Sequence, residues 1–342
     1  MNKILQLFSE DYVIKLFKEQ LLALYPQYQD IVGVEIRPYK EMIWTSTYHV
    51  VIGFKVSFIK PDKEKEKVLI VCSAHSNEER ENVYQAMDFL WKNKFNRGHI
   101  DIPRPLFYSS YFQGTFYEGI TGENLMYYIK NKDYPEIESM ISLSAELFAR
   151  LHDLPNVKEA NFNPKNSRIK TVVPGVENIL KEMEYRFDGK FSESFKKIYK
   201  YLIEKEENFL NVEGFKFSLI HGDAHTENVI HTGKGRVGLI DFTDLCLGDP
   251  ARDIGTFMQQ LEYKIGAKYG NPDYAKQMSD LFLSSYLEFS KQEDSVNLRE
   301  RITLYYNWTA IRTAVYLFLK HDSNPLGAEE LLKKVMTDLN LQ

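Results

Sequence analysis

The segment HGDAHTENVIHTGKGRVGLID, residues 221–241, constrains this chain most, because it spaces three oxygen-bearing side chains at fixed intervals. Asp223 is followed by Asn228 five positions later, and Asp241 ends a short apolar run. Mg²⁺ prefers carboxylate and amide oxygens and usually takes only one or two of them from the protein. A solvated turn also favours His, Asp and Asn, but it would not explain the carboxylate at the end of the apolar run. The pattern therefore predicts a magnesium site, with Asp223 left to accept a proton.

Three sequence blocks around this segment resemble those of a known family. They read HGDAHTEN, LIDF and LGDPARDIG, and they occur in that order between His221 and Gly255. The interval from Asp223 to Asn228 is the one found in the catalytic loop of protein kinases, and Asp241 stands where kinases have their metal-binding Asp. Taken together, the blocks resemble the aminoglycoside phosphotransferase and choline kinase-like family.

The resemblance implies an α+β fold of the two-lobed protein kinase type. The small N-terminal lobe would contain an antiparallel sheet, and the larger C-terminal lobe would be mostly helical. ATP or GTP would donate its γ-phosphate, with Mg²⁺, to a hydroxyl of a small metabolite or an aminoglycoside-like acceptor. The catalytic residues would be Asp223, Asn228 and His221, with Asp223 as the base and His221 bracing the loop. Asn228 and Asp241 would be the metal ligands.

The resemblance also implies how the chain is divided. Residues 1–116 would form the nucleotide-binding lobe, beginning with a helical extension over residues 1–30. A hinge would follow at residues 117–125, and residues 126–342 would form the catalytic and acceptor-binding lobe. The backbone groups expected to bind the adenine belong to Tyr117, Glu118 and Gly119.

The C-terminal half is predicted to be helical on both sides of the motif. Apolar residues recur at helical spacing over 136–151, and the periodic segments from residue 254 onward also indicate helices. Pro250 suits the first turn of a helix, where its missing N–H costs nothing. Asp253 is expected to hydrogen-bond the catalytic loop by resemblance, or simply to favour the start of that helix. Three acids could meet a cationic acceptor, although solvation explains them equally well: Asp244, Glu262 and Glu288.

The N-terminal half is predicted to contain strands over residues 32–37, 48–59 and 68–73. Apolar and polar residues alternate over 48–59, and 68–73 is a short apolar run that follows a charged turn. The loop at 40–48, between the first two strands, contains no glycine. Glycine usually lets backbone amides approach a phosphate closely. Ser46 and Thr47 are therefore expected to donate hydrogen bonds to the nucleotide instead.

A cation is missing where the family has one. Its phosphate-pairing lysine should fall near Val71 or Cys72, and neither is cationic. Glu81 is predicted to be the helix acid that normally pairs with that lysine, with Glu78 and Glu79 as competitors. The missing charge could come from Lys55 on the neighbouring strand, the nucleotide could bind without it, or catalysis could be lost. We expect Lys55 to replace it, although an exposed surface role for this residue is equally compatible with the pattern.

Charge and hydropathy limit the partners. The net charge is −5 and the isoelectric point is about 6.0, which argues against nucleic acid as the main partner. No apolar run reaches the roughly 18 to 20 residues that span a bilayer, so no membrane association is expected. The first residues lack the pattern of a signal peptide, and we expect a cytoplasmic protein. The sequence does not indicate an oligomeric state.

Two alternatives from other functional classes remain open. A degenerate relative would bind nucleotide or a partner without transferring phosphate, and the missing lysine and glycine favour it. A hydrolase would bind a transition metal through imidazole and carboxylate groups, with His221, Asp223, His225 and His231 as ligands. The second alternative leaves Asn228 and Asp241 unexplained.

Overall fold

The computed structural model describes residues 2–78, 80–155, 157, 160–320 and 323–341. The chain forms two compact units. The N-terminal unit comprises Met1–Gly122 and Gly238–Thr243, and the C-terminal unit comprises Glu123–Val237 and Asp244–Gln342. The chain therefore leaves the N-terminal unit after Gly122, within the segment predicted to be the hinge, and returns to it for six residues that include Asp241.

The N-terminal unit is built on a five-stranded antiparallel sheet with the order β1-β2-β3-β6-β5. Two helices accompany the sheet, and short 3₁₀ turns at Lys3–Phe8 and Leu22–Leu24 flank the first of them. The elements in chain order are α1 (Glu10–Leu21), β1 (Asp30–Ile43), β2 (Tyr48–Ile59), β3 (Lys65–His75), α2 (Glu81–Lys92), β4 (Ile100–Asp101), β5 (Arg104–Ser109) and β6 (Gly114–Glu118).

Alternation along the strands separates the two faces of this sheet. One face packs against α1, where the ring of Phe17 meets those of Phe54 and Phe116 edge-on at 5.2 and 6.1 Å. Cys72 belongs to this apolar core and is fully buried. Val71, its neighbour, therefore points to the opposite face, where it packs beside Gly119.

The C-terminal unit is mostly helical. Its short strands lie in two sheets: β9 has β7 and β10 as its neighbours in one, and β8 pairs with β11 in the other. The elements in chain order are β7 (Glu123–Asn124), α3 (Leu125–Asn131), α4 (Tyr134–His152), α5 (Val176–Phe187), α6 (Ser192–Leu210), β8 (Ser218–Ile220), β9 (Val229–Gly233), β10 (Arg236–Leu239), β11 (Cys246–Gly248), α7 (Pro250–Tyr269), α8 (Pro272–Ser290), α9 (Val296–Leu319) and α10 (Pro325–Asp338). The chain passes back to the N-terminal unit within β10.

Helices α7 and α9 run parallel and unusually close together. A Cβ atom built on Gly255 of α7 would come within 2.6 Å of the Ile302 carbonyl oxygen of α9, so only glycine permits this approach. The next residue of α7, Thr256, has its hydroxyl 2.9 Å from that of Thr309, and one turn later Gln260 donates to the Thr313 hydroxyl at 3.3 Å. The paired residues advance together along both helices, which places a polar stripe of α7 beside a polar stripe of α9.

The elements confirm the predicted α+β class and most of its expected pieces. The second strand occupies residues 48–59 as expected, and the predicted first and third strands lie inside the longer β1 and β3. The first strand continues to Ile43, so the glycine-free loop is four residues long rather than nine, and it closes through a hydrogen bond from Trp44 N to Thr47 O of 2.9 Å. The side-chain amide of Asn2 donates to both of the carbonyl groups at the ends of this loop, at 3.1 Å each.

Candidate active site

The loop between β8 and β9 carries Asp223. One buried carboxylate, that of Asp253, stabilises the backbone of this loop through hydrogen bonds. Asp253, in the first turn of α7, accepts hydrogen bonds from the backbone N–H groups of His221 (2.6 Å) and Gly222 (2.9 Å). Its Oδ2 also lies 3.1 Å from His152 Nε2, and His152 Nδ1 lies 2.8 Å from the Tyr286 hydroxyl. The expected bond from Asp253 to the loop is therefore present, and it fixes the backbone just before Asp223.

Gly222 turns the chain sharply at this point. It has a φ of +80°, and a Cβ atom there would meet Asn166 and the Asp244 carbonyl oxygen at 2.4 Å. Arg252 donates to both the Asn166 side chain (2.9 Å) and the Gly222 carbonyl oxygen (3.2 Å). The turn therefore needs glycine for both its conformation and its surroundings.

The carboxylate of Asp223 is kept ionised by a protonated neighbour. Burial alone would raise the pKa of Asp223, but the hydrogen bond from His225 Nε2, at 3.3 Å, and the charge of Arg312 hold it well below its usual range. Burial would lower the pKa of His225, but the Asp223 and Glu227 carboxylates raise it to about 9. Glu227 also accepts from Lys264 Nζ at 2.8 Å. At neutral pH Asp223 is thus an ionised, oriented acceptor of hydrogen bonds.

Asn228 is held in the loop by hydrogen bonds that its nitrogen atoms donate. Its Nδ2 donates to the backbone oxygen of Asp223 at 3.0 Å, and its own N–H donates to the His225 oxygen at 3.1 Å. Because the amide NH₂ is used inside the loop, Oδ1 points away from that bond. An amide oxygen suits a hard cation such as Mg²⁺.

Asp241 belongs to the N-terminal unit and has a left-handed backbone with a φ of +62°. Its Oδ1 accepts from the Thr243 hydroxyl at 2.7 Å and from the Thr243 N–H at 3.3 Å. The side chain is exposed, and these bonds occupy one oxygen. The other oxygen remains suitable for a metal ion.

Arg80 is linked to Asp241 through Thr243, and the sequence alone did not identify Arg80 as a site residue. Its Nη1 donates to the Thr243 hydroxyl at 3.1 Å, so Thr243 links the guanidinium to Asp241. Arg80 is buried, and its backbone oxygen accepts a hydrogen bond from Thr115, a residue of β6 that pairs with Ser73 of β3. A cation therefore lies beside the third strand, although it comes from the residue just before α2. Arg80 and Thr243 are close because residues 238–243 return to the N-terminal unit, which the sequence alone does not show.

The other residues predicted to bind the nucleotide lie in the loop after β1, on β2 and at the start of α2. Ser46 and Thr47 lie in the tight loop after β1, and Lys55 is exposed on β2 opposite Glu35. Glu81 is the exposed first residue of α2, Glu78 pairs with Arg80 at 3.3 Å, and Glu79 lies outside the described residues.

The three residues predicted to form the hinge make different interactions within the N-terminal unit. The side chain of Tyr117 lies in the field of Asp241, and burial followed by that charge raises the pKa of its hydroxyl. Glu118 accepts from the Tyr25 hydroxyl at 2.7 Å. The N–H of Gly119 donates to the Leu69 oxygen at 2.9 Å, so this N–H is already used by the protein.

The C-terminal unit contains a cavity of about 500 Å³ next to the loop. Asp223, His225 and Glu227 line one side of it, and the polar stripes of α7 and α9 line the rest. Its wall includes hydroxyl, amide and cationic side chains, among them Thr256, Gln260, Lys264, Thr309, Arg312 and Lys320. The sequence placed an acceptor pocket in these helices by resemblance, but not these residues. Of the three acids considered for a cationic acceptor, Glu262 accepts from the Tyr306 hydroxyl at 2.5 Å and Asp244 from Asn163 at 3.1 Å.

A second buried carboxylate predicts a measurable pH dependence. Burial raises the pKa of Glu206 to about 7, and its carboxylate accepts from the Ile169 N–H (2.9 Å) and the Tyr305 hydroxyl (3.1 Å). The folded state therefore retains a proton that the unfolded chain loses near pH 4.5, and stability falls as pH rises from that value through 7. The full penalty is roughly 3 kcal/mol.

We expect Glu206→Gln to remove this penalty, because the amide can accept from Ile169 and donate to Tyr305. Thermal unfolding followed by circular dichroism at pH 5, 6, 7 and 8 measures the difference from the wild type. The variant should gain stability relative to the wild type across this range. Equal pH slopes would show that Glu206 is ionised in the folded state.

The described residues contain no group of three or more His, Cys, Asp or Glu side chains arranged to hold a metal ion. His231, one of the ligands considered for a hydrolase, instead lies 3.2 Å from Glu136 and 3.0 Å from the Tyr128 hydroxyl. A search of the described helices for one long and apolar enough to cross a bilayer finds none.

Comparisons with known proteins agree on one family and one fold. A model of the phosphotransferase enzyme family matches residues 52–273, about two-thirds of the chain. No curated protein matches the sequence. Among solved structures, a Plasmodium vivax ethanolamine kinase is similar with a TM-score of 0.52 at 18% identity, covering 90% of this chain and 81% of that one.

Two phosphotransferases are similar to about the same extent. A spectinomycin phosphotransferase solved with ADP and spectinomycin has a TM-score of 0.54 at 13% identity, covering 96% of this chain and 94% of its own. An aminoglycoside 2′-phosphotransferase solved with GDP has a TM-score of 0.54 at 14% identity, covering 96% and 99%. At such identities the likeness establishes the fold alone.

Proposed function

Because the chain belongs to the phosphotransferase enzyme family, we propose that it is a small-molecule kinase that transfers the γ-phosphate of ATP or GTP to an alcohol. The family match confirms the resemblance seen in the three sequence blocks. The observation that carries the proposal is the environment of Asp223. A buried loop holds this carboxylate ionised, next to a cavity whose size suits a small acceptor.

In the proposed reaction, the acceptor hydroxyl donates a hydrogen bond to Asp223. The hydroxyl oxygen attacks the γ-phosphorus, the bond from that phosphorus to the bridging oxygen breaks, and the nucleoside diphosphate leaves. Asp223 takes the hydroxyl proton as the new bond forms. His225, held protonated between two carboxylates, keeps Asp223 in position. His221 supports the loop through its bond to Asp253.

Mg²⁺ would be held by Asn228 and Asp241, and when bound it supplies charge neutralisation at the phosphates. Each residue fits this role within its own unit, since each presents an oxygen that the surrounding protein does not use. The pairing of these two residues as ligands rests on their sequence spacing. We further propose that Tyr117, Glu118 and Gly119 lie at the adenine and that Ser46 and Thr47 contact the phosphates.

We propose Arg80 as the cation that replaces the missing lysine. Its guanidinium is linked through Thr243 to Asp241, the proposed metal ligand. Lys55 lies eight residues beyond Thr47 along β2, which is roughly 26 Å at strand spacing. A nucleotide whose phosphates lie at Asp241 and at the loop is therefore better served by Arg80.

Arg80→Gln is expected to weaken nucleotide binding by about tenfold, the loss of one charge-assisted hydrogen bond. Lys55→Gln is the matched control and should bind nucleotide as the wild type does. Isothermal titration calorimetry with Mg²⁺ and ATP measures both. Unchanged affinity in Arg80→Gln together with a loss in Lys55→Gln would return the role to Lys55.

The proposed function is tested by calorimetric titration with ATP and GTP, with and without Mg²⁺, followed by a screen of hydroxylated acceptors for release of nucleoside diphosphate. Metal-dependent binding and turnover would support the kinase. The alternative, a degenerate binding protein, draws its support from the absence of glycine in the loop at 44–47 and of lysine near Val71. Turnover with any acceptor would dismiss it.

A further inference from the structure

The charge of the cavity in the C-terminal unit is unbalanced. Its cationic side chains are Lys264, Arg312, Lys320 and, with its raised pKa, His225; its acidic side chains are Asp223 and Glu227. Both acids are engaged with cations already, since His225 lies between them and Lys264 pairs with Glu227 at 2.8 Å. Arg312 and Lys320 therefore provide the excess positive charge.

Arg312 lies in the wall of this cavity on the polar stripe of α9. The Cζ atom of Arg312 lies 4.8 Å from the centre of the buried Trp308 ring, and the Cζ atom of Arg252 lies 4.6 Å from the centre of the same ring. Arg252 is satisfied by Asn166 and Gly222. Arg312, within the part of the chain that the structure describes, makes no hydrogen bond and no ion pair shorter than 4.0 Å.

Arg312 is partly buried in the cavity wall, so its guanidinium is available to an anion that enters the cavity. Burial lowers the pKa of Arg312, and the field of Asp223 acts in the opposite direction. A guanidinium beside an indole ring still presents its remaining N–H groups as a planar fork, which matches a carboxylate or a phosphate. Asp223 is already paired with His225, so the anion that would neutralise Arg312 has to come from a ligand.

We propose that the acceptor carries an oxyanion, either a carboxylate or a phosphate, in addition to the hydroxyl that is phosphorylated, and that Arg312 binds this oxyanion. The proposal rests on the proposed kinase function and specifies its substrate class. Lys320, the residue that follows α9, is eight positions after Arg312 and extends the positive wall. A polycationic acceptor would meet like charges at both positions.

Three probes of equal length test the charge preference without knowledge of the acceptor: malonate, its neutral diamide malonamide, and the dication of propane-1,3-diamine. Each is titrated calorimetrically into the full chain saturated with Mg²⁺ and a non-hydrolysable ATP analogue, which occupies the nucleotide site. We expect malonate to bind at least tenfold more tightly than the other two. Preferential binding of the diamine, or no binding of malonate, would overturn the proposal.

Variants assign the binding to Arg312. Arg312→Gln should lose at least tenfold in malonate affinity, and Arg312→Lys, which keeps the charge but not the fork, should lie between. The control is Arg299→Gln, on the same helix but paired with Asp294. Lys320→Gln, near the exposed end of α9, tests the same wall if Arg312→Gln does not fold. Malonate affinity unchanged in both Arg312→Gln and Lys320→Gln would contradict the assignment.

Two further measurements separate the possible explanations. Inorganic phosphate, titrated in the same way, distinguishes a phosphate-bearing from a carboxylate-bearing acceptor by its affinity relative to malonate. Competition between malonate and the ATP analogue would place Arg312 at the γ-phosphate and overturn the proposal. Failure of the analogue itself to bind would count against the kinase function, whereas malonate binding to the nucleotide-free chain would still report on Arg312.

Discussion

Replacing Asp223 with alanine is expected to reduce turnover by about 10³-fold while nucleotide affinity stays nearly unchanged. The carboxylate accepts the hydroxyl proton in the proposed reaction, and a positioned general base contributes roughly 10² to 10⁴ in rate. It is not proposed to contact nucleotide or metal, so binding should be preserved. Steady-state release of nucleoside diphosphate and calorimetric titration with Mg²⁺ and ATP measure the two quantities on the same preparation.

Asp223→Asn separates the chemical role from the structural one. The amide oxygen still accepts a hydrogen bond from His225, whereas its NH₂ group accepts no proton. Both variants should therefore lose activity, but only Asp223→Ala should disturb the pairing with His225. Asp273→Ala, at the exposed start of α8, serves as the control carboxylate. Wild-type turnover in Asp223→Asn would remove Asp223 from the role of base.

Removing Asp241 is expected to weaken binding itself, in contrast to Asp223. Loss of one carboxylate ligand should reduce the affinity for Mg²⁺ and ATP by roughly 10- to 100-fold, which corresponds to about 1.4 to 2.8 kcal/mol. The nucleotide without metal should bind the variant and the wild type equally. Titrations with and without Mg²⁺ therefore reveal the effect as a loss of metal dependence.

The backbone of Asp241 affects the choice of variant. Its φ of +62° is tolerated by Asp and Asn but strains alanine. Asp241→Asn keeps the conformation and a bond from Thr243, so its effect reports the lost charge, and Asp241→Ala adds a local strain. Asp188→Ala introduces the same strain at a φ of +48°, at the end of α5, and is the matched control. A metal dependence that survives in both Asp241 variants would exclude this residue as a ligand.

The sequence predicted the C-terminal unit well because its signals are local. The interval between Asp223 and Asn228 and the apolar spacing of α4 are properties of short segments. The helix predicted from that spacing over 136–151 is present as α4. Asp253 could be linked to the loop only through the family resemblance. Nothing in its immediate sequence indicates that its carboxylate bonds two backbone N–H groups thirty residues away.

The nucleotide side was harder to predict because its partners are remote in sequence. Arg80 and Thr243 are separated by 163 residues, and their contact depends on the return of the chain to the N-terminal unit. The register of the strands in the sheet also could not be predicted from the sequence. It places Cys72 in the core and Val71 on the opposite face, so only one of the two positions considered for a cation points away from α1.

The close pairing of α7 and α9 has a consequence for how this enzyme could acquire new specificities. Helix α7 carries Asp253, which fixes the loop before Asp223, and then Gln260 and Tyr263, which line the cavity two and nearly three turns later. Substitutions at these later positions would reshape the acceptor wall while the anchor of the loop stays in place. A combinatorial library confined to Gln260, Tyr263 and Tyr316 should therefore yield variants with altered acceptor choice and intact phosphate-transfer machinery.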